Sequence, residues 1–154
     1  MNWKFLFLAL EGRIPRLSFW IGVALLIGAE LIVLSLCGMW SWDAATNPAP
    51  LWFRGLQFVA SLLVAYPLYA VLLKRLHDRN SPGTLAVVTI GLMLVSDFVN
   101  IIWPMEIPND LTAAGYIFNV PLLLLIVAMA IELGLRRGTV GPNRFGPDPL
   151  VSVQ

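Results

Sequence analysis

Four long apolar runs decide what this chain can become. They cover about Leu17–Trp40, Arg54–Leu73, Thr84–Trp103 and Gly115–Leu135, and each holds only one to three strongly polar residues. A bilayer core is about 30 Å thick and a helix rises about 1.5 Å per residue, so about 20 apolar residues span it. Each run meets that length. Backbone groups have no water to bond in hydrocarbon, so each spanning segment is expected to be helical. A membrane β-barrel would show alternating segments of about 10 residues, and these runs are continuously apolar. Only 12% of the 154 residues are charged and 58% are hydrophobic. A soluble fold would lack polar side chains to cover such a core.

The breaks between runs are sharp. Asp43 and Asn47-Pro48-Ala49-Pro50 close the first. The charged stretch Lys74–Gly83 follows the second and reads as a short polar loop. Pro104–Asp110 follows the third. Arg136, Arg137 and a Gly/Pro-rich tail over 136–154 follow the fourth. Proline and charge end helices at such points. The short connections leave no room for a second domain, so residues 1–154 form one four-helix membrane domain. The all-α reading has one more element. Trp3 and Lys4 flank an apolar stretch, Phe5–Leu10, too short for a signal sequence, so this segment is expected to lie at the membrane surface.

Charge sets the orientation. Lys4, Arg13, Arg16, Lys74, Arg75, Arg79, Arg136, Arg137 and Arg144 fall on one side of the four crossings, and Arg54 alone falls on the other. The basic side stays in the cytoplasm, which places both termini there. Trp40, Trp42, Trp52 and Trp103 then form an aromatic belt at the outer boundary.

Three polar segments meet at the basic end: Glu11–Trp20, Lys74–Arg79 and Gly141–Pro149. The residues that carry chemistry there are Arg13, Arg16, Arg75, His77, Asp78, Asn143, Arg144 and Asp148. Guanidinium forks suit phosphate and carboxylate oxygens, and a basic pocket between helix ends is the expected site for an anionic headgroup. The plainer reading is that these arginines set topology and snorkel to phosphates in general. His77 and Asp78 are adjacent, about 100° apart on a helix, so they do not face each other. A carboxylate partner for His77 would be Asp148 or Glu11. Asp78 is expected to cap the loop or to pair with Arg13, Arg16 or Arg144, with His77 donating to a backbone carbonyl. The tail 141–149 reads as a rigid loop folded under the bundle, with Arg144 and Asp148 pairing to the other segments. No nucleophile is framed for catalysis. A single histidine and a lone Cys37 in an apolar run offer neither a metal site nor a disulfide. A non-enzymatic protein without cofactor is expected.

The motifs Gly12-Arg13-Ile14-Pro15-Arg16-Leu17-Ser18-Phe19-Trp20, Arg75-Leu76-His77-Asp78 and Gly138–Pro149 follow one another on a four-span frame. In this the chain resembles the small bacterial inner-membrane family catalogued as domain of unknown function 805, over essentially its whole length. Ser81-Pro82-Gly83-Thr84 departs from that pattern, in which a Trp often follows the Ser-Gly after the His-Asp pair. The resemblance implies a multi-pass protein of the bacterial cytoplasmic membrane and carries no activity with it.

Intramembrane polar residues make a second set: Glu30, Asp97, Asn100, Asn119 and Glu132. Glu132 has Arg136 one turn on. Glu30, Asp97 and Asn119 either make interhelical hydrogen bonds or line a polar seam for a proton, ion or small solute. Two function classes follow. One is a binding or docking protein whose basic cluster holds an anionic lipid headgroup or a partner's acidic segment. The other is a small transporter or channel component, which four helices would serve only as a homo-oligomer. The expected partners are membrane lipids and a protein or second copy, with no nucleic acid.

Overall fold

The structure is a computed structural model that describes residues 2–42, 49–102 and 113–151, with 113–118 described by backbone alone. The described residues are helical apart from turns and one isolated bridge between Asn143 and Gly146. A short helix α1 (Trp3–Phe7) precedes α2 (Arg16–Leu36). After a left-handed Gly38 (φ 86°), a 3-10 turn (Met39–Ser41) ends the first hairpin arm. Then come α3 (Leu51–Asp78), α4 (Thr84–Ile102) and α5 (Ala113–Met129), which continues as a π-helical turn (Ala130–Leu135). Asp43, Asn47-Pro48, Trp103 and Pro104–Asp110, expected to mark loops and the aromatic belt, lie outside the described residues.

Helices α2, α3 and α4 are each long and apolar enough to cross a membrane, and Asn119–Leu135 is apolar but shorter. Only 17%, 28% and 11% of their most apolar windows are buried inside the protein. Leu63 and Ile102 stand 74% and 71% exposed, which suits lipid and not water. The architecture is that of a membrane protein.

The described core sits at the basic end. Leu6, Ile14, Phe19, Val71, Leu72, Leu76, Ala86, Met129 and Leu133 pack together there. At the opposite end Trp42, Trp52 and Phe53 form an edge-to-face aromatic cluster. Trp40, Trp42 and Trp52 therefore fall at the end away from the Asp78 cluster, beside Arg54.

One expectation is corrected here. Lys74–Asp78 do not belong to a polar loop after a span ending at Leu73. Helix α3 runs unbroken through Asp78, and the loop is only Arg79–Gly83. The helix continues because its charged residues find acceptors in neighbouring segments. Lys74 is fully buried. Its Nζ donates to the carbonyls of Phe5 at 2.7 Å, Leu6 at 2.8 Å and Ala9 at 2.5 Å. An ammonium has three N–H groups, and all three are used. The Tyr66 hydroxyl donates to the Leu8 carbonyl at 2.8 Å. Five residues are too few for a stable free helix. Asn2 caps the start of α1, its side chain accepting from the Phe5 amide at 3.1 Å, and α3 holds its C-terminal carbonyls.

Replacing Lys74 with Met keeps the stem and removes the donors. Lys74→Met is expected to destabilise the protein by roughly 3 kcal/mol, the order for buried bonds to a charged donor. Hydrogen exchange at Leu6–Ala9 should rise with it. Unchanged exchange there would refute the anchoring role of Lys74.

Candidate functional site

The basic end is built around Asp78, 3% exposed, at the last turn of α3. A buried carboxylate is tolerated only when paired and fully hydrogen-bonded. Arg13 supplies Nε at 3.1 Å and Nη2 at 2.9 Å to Oδ1. Arg75 supplies Nη1 to Oδ2. Both guanidinium groups are as buried as the carboxylate, at 5% and 1% exposed.

Arg13 also gathers the C-terminal tail. Its Nη1 donates to the Gly141 carbonyl at 2.8 Å and to Gly146 at 3.3 Å. Its Nη2 donates to the Thr139 carbonyl at 2.6 Å. All five N–H donors of this guanidinium therefore have acceptors. The tail answers from its own side. The Thr139 amide donates to the Asp78 carbonyl at 2.8 Å, and the Asn143 amide group donates to the His77 carbonyl at 3.0 Å. Gly138 lies so close to Asp78 that a Cβ there would strike the carboxylate. Gly141 and Gly146 take φ of 78° and 136°, which other residues rarely adopt. The rigid, folded-back loop expected for 141–149 is what the structure shows.

The last turn of α5 meets the remaining cations. Five successive carbonyls accept side-chain donors: Leu133 from Arg75 Nε (2.6 Å), Gly134 from Trp20 Nε1 (3.2 Å) and Leu135 from Arg16 Nη1 (3.1 Å). Arg136 accepts from Arg75 Nη2 (2.7 Å) and Arg137 from Arg79 Nη1 (2.5 Å). A helix C-terminus leaves carbonyls unpaired and carries partial negative charge, so cations there satisfy both needs. Glu132 pairs with Arg136 at 2.8 Å as its spacing foretold, and also with Arg79 at 2.5 Å.

Several pairings differ from expectation. His77 meets no carboxylate, neither Asp148 nor Glu11. Its Nδ1 lies 3.3 Å from the Gly12 carbonyl, and its ring stacks on Phe145 at 3.9 Å. The expected bond to a backbone carbonyl is present. Asp78 pairs with Arg13, as expected, but its second partner is Arg75 from its own helix. Arg144 reaches the middle segment through the Asn80 carbonyl at 3.2 Å and lies over the Phe145 ring. Asp148 does not pair across segments. Its carboxylate closes its own turn on the amides of Leu150 (3.0 Å) and Gly141 (2.9 Å). Those two amides, Leu150 first, hold its pKa below the ordinary carboxylate value. Lys74, Arg79, Gly138 and Thr139 belong to the site and were not singled out by sequence. Gly138 had a signal, since it opens the third motif.

What remains open is a cavity of about 280 Å³ beside this latch. Pro15, Arg16, Arg137, Val140 and Leu150 line it, together with Arg75 and the acidic Asp78 and Asp148. Arg16 and Arg137 are exposed. Among the described residues the Arg137 guanidinium has no hydrogen-bond partner.

The intramembrane residues divide. Glu30 and Asp97 line one cavity of about 150 Å³ with Gln57 and Ser61, and the Ser61 hydroxyl donates to Glu30 at 3.2 Å. Asn119 does not line that cavity and accepts from the Ser96 hydroxyl at 3.3 Å. Asn100 lines a separate cavity with Arg54 and Trp42. Among the described residues Asn119 thus stands outside the cavity that Glu30 and Asp97 share. Sequence reading passed over Arg54, Gln57 and Ser61, although their 3-and-4 spacing puts them on one face of α3.

Neutralising Asp78 leaves two buried guanidinium groups facing each other. Asp78→Asn is expected to lower stability by roughly 3–5 kcal/mol, the range for breaking a buried ion pair. Trypsin should then cut faster after Arg137 and Arg144, because the tail is released. An Asp78→Asn protein that melts with the wild type in detergent would contradict the central role of this carboxylate.

Residues 7–147 match the family model described as protein of unknown function (DUF805). The chain is 33% identical over 153 residues to the protein named uncharacterized protein YiiR of Escherichia coli strain K12, covering 96% of this chain and 88% of that one. The YiiR of Escherichia coli O157:H7 matches to the same extent. No solved structure matches. The three motifs that interlock at Asp78 fall almost wholly inside the matched range, and on that match the chain belongs to the DUF805 family.

Proposed function

We propose that this chain is a non-enzymatic binding protein of the bacterial cytoplasmic membrane, with four helices crossing the bilayer and its basic end on the cytoplasmic side. The nine-to-one distribution of Lys and Arg supports that orientation. The ligand is an anionic phospholipid headgroup, held in the cavity between Arg16 and Arg137. One observation carries the reading. Arg13 and Arg75 are committed to Asp78 and to backbone carbonyls, whereas the exposed Arg16, with one donor on the Leu135 carbonyl, and the exposed Arg137 line an open cavity with apolar Leu17, Val140 and Leu150 beside them. Phosphate oxygens suit the guanidinium forks, and the apolar wall suits the glycerol and chain. Helix α2 begins at the same cavity without a side-chain cap, so its first amides add to the attraction. The cluster expected from sequence divides accordingly. Arg13, Arg75, Asp78 and Asn143 hold the fold and Arg16 faces the ligand, joined by Arg137, which that cluster did not include.

Native mass spectrometry of protein extracted from bacterial membranes tests this. The wild type is expected to retain an anionic phospholipid. An Arg16→Gln/Arg137→Gln variant is expected to lose it by roughly tenfold or more, given about 1 kcal/mol per arginine near anionic lipid. Equal retention in the variant would overturn the assignment. Binding of an acidic peptide with no retained lipid would favour a docked protein partner instead.

A second reading has its own observation. The Ser61–Glu30 hydrogen bond and the nearby Asp97 make a polar pocket within the apolar part of the bundle. In that reading an assembly of these chains passes a proton, ion or small solute. Flux into liposomes that Glu30→Gln abolishes would support it, and flux unchanged by the substitution would remove it.

A further inference from the structure

Two cavities at the end away from the arginine latch share a wall. The first, about 160 Å³, is lined by Trp42, Arg54, Gln57 and Asn100 among others. The second, about 150 Å³, is lined by Gln57, Ser61, Glu30 and Asp97 with apolar neighbours. Gln57 belongs to both. On α3 the polar residues Arg54, Gln57 and Ser61 recur every three or four positions, so they form one stripe down one face. Asp97 and Asn100 repeat that spacing on α4. The stripe spans eight residues of α3, or roughly 10 Å along its axis.

The first cavity holds an independent sign of an occupant. Trp42 Nε1, Arg54 Nε and Asn100 Oδ1 are buried and have no hydrogen-bond partner among the described residues. Buried polar atoms are nearly always paired, with protein or with ordered water. Arg54 is held in place from its other side, since its Nη1 donates to the carbonyls of Asn100 at 3.0 Å and Ile101 at 2.8 Å. The residues that carry these two donors and one acceptor line one cavity of about 160 Å³, and a water molecule in the liquid takes up about 30 Å³. Water supplies both kinds of partner. Beyond Ser61 the stripe stops. Val64, Ala65, Leu68 and Ile90 close the inner cavity, and the packed core of Val71, Leu72 and Ala86 lies below them.

We propose that the Arg54 end of the bundle contains a water-filled inlet that descends past Trp42, Arg54, Asn100 and Gln57 and ends blind at Ser61, Glu30 and Asp97. It gives the two carboxylates contact with the aqueous phase on that side alone. The inlet goes beyond the headgroup reading and does not require net transport. A sealed floor with a wet approach is half of an alternating pathway, and it serves as a one-sided proton or cation port whether or not the floor ever opens.

Thiol accessibility tests it. In a Cys37→Ser background, Gln57→Cys and Ser61→Cys are placed in membrane vesicles of each sidedness. A charged, membrane-impermeant methanethiosulfonate is then added to the medium. The thiolate, which forms only where water reaches it, attacks the reagent's sulfur, forming a mixed disulfide and expelling methanesulfinate. Both cysteines are expected to react from the Arg54 side roughly tenfold faster than Leu63→Cys on the lipid-facing side of α3, or Leu72→Cys beneath the floor. Reaction from the opposite side should be no faster than in those controls. The inlet is overturned if Gln57→Cys reacts like Leu63→Cys, if Ser61→Cys reacts equally from both sides, or if Leu72→Cys reacts as fast as either. Should Ser61→Cys fail to accumulate, Gln57→Cys alone decides. A transport-dead protein that still labels in this pattern would separate the inlet from the flux reading.

Discussion

A single carboxylate between two guanidinium groups holds the basic end together. Asp78 ties Arg13 from the first segment and Arg75 from its own helix into one buried unit. Burying three charges is unfavourable unless every donor and acceptor finds a partner. The fold meets that demand with backbone oxygens. The tail offers Thr139, Gly141 and Gly146, and the end of α5 offers Leu133 and Arg136. Remove the carboxylate and those carbonyls hold two cations with nothing between them.

Helix ends in a water-poor setting pose a general problem, since their last carbonyls have no intrahelical donors. Here the same remedy recurs three times. Lys74 serves α1, the group of Arg16, Trp20, Arg75 and Arg79 serves α5, and Arg54 serves α4. Cations that a topology rule counts only as charge are thus also structural donors. Arg16 gives only Nη1 to the end of α5, so it and Arg137 have donors left for a ligand.

Much of this organisation could be read beforehand, and the residues show why the rest could not. The start of α4 at Thr84 was placed to the residue, because a clean apolar run after Ser-Pro-Gly leaves few choices. The convergence of Arg13, Asp78 and the 141–149 loop followed from charge asymmetry across hydrophobic spans. Lys74 was misplaced because a charged residue at the edge of a run reads as solvated, and nothing in the chain announces three waiting carbonyls. Backbone acceptors carry no sequence signature. Asp148 was misassigned for a related reason: an acid near many arginines invites a distant pairing, but two amides of its own turn are closer. The Arg54, Gln57 and Ser61 stripe was legible from spacing alone, and was obscured because its members differ in type and sit one turn apart in apolar surroundings.

The contacts of Arg13 also impose an order in time. Its guanidinium emerges early in synthesis, and its acceptors at Thr139, Gly141 and Gly146 more than 120 residues later. Until then a positive charge destined for the interior has only water, lipid phosphate and Asp78 to face. The latch therefore closes only after Gly146 has been made, so a product cut short before it would be left with an open, charged end for proteases to recognise as unfinished.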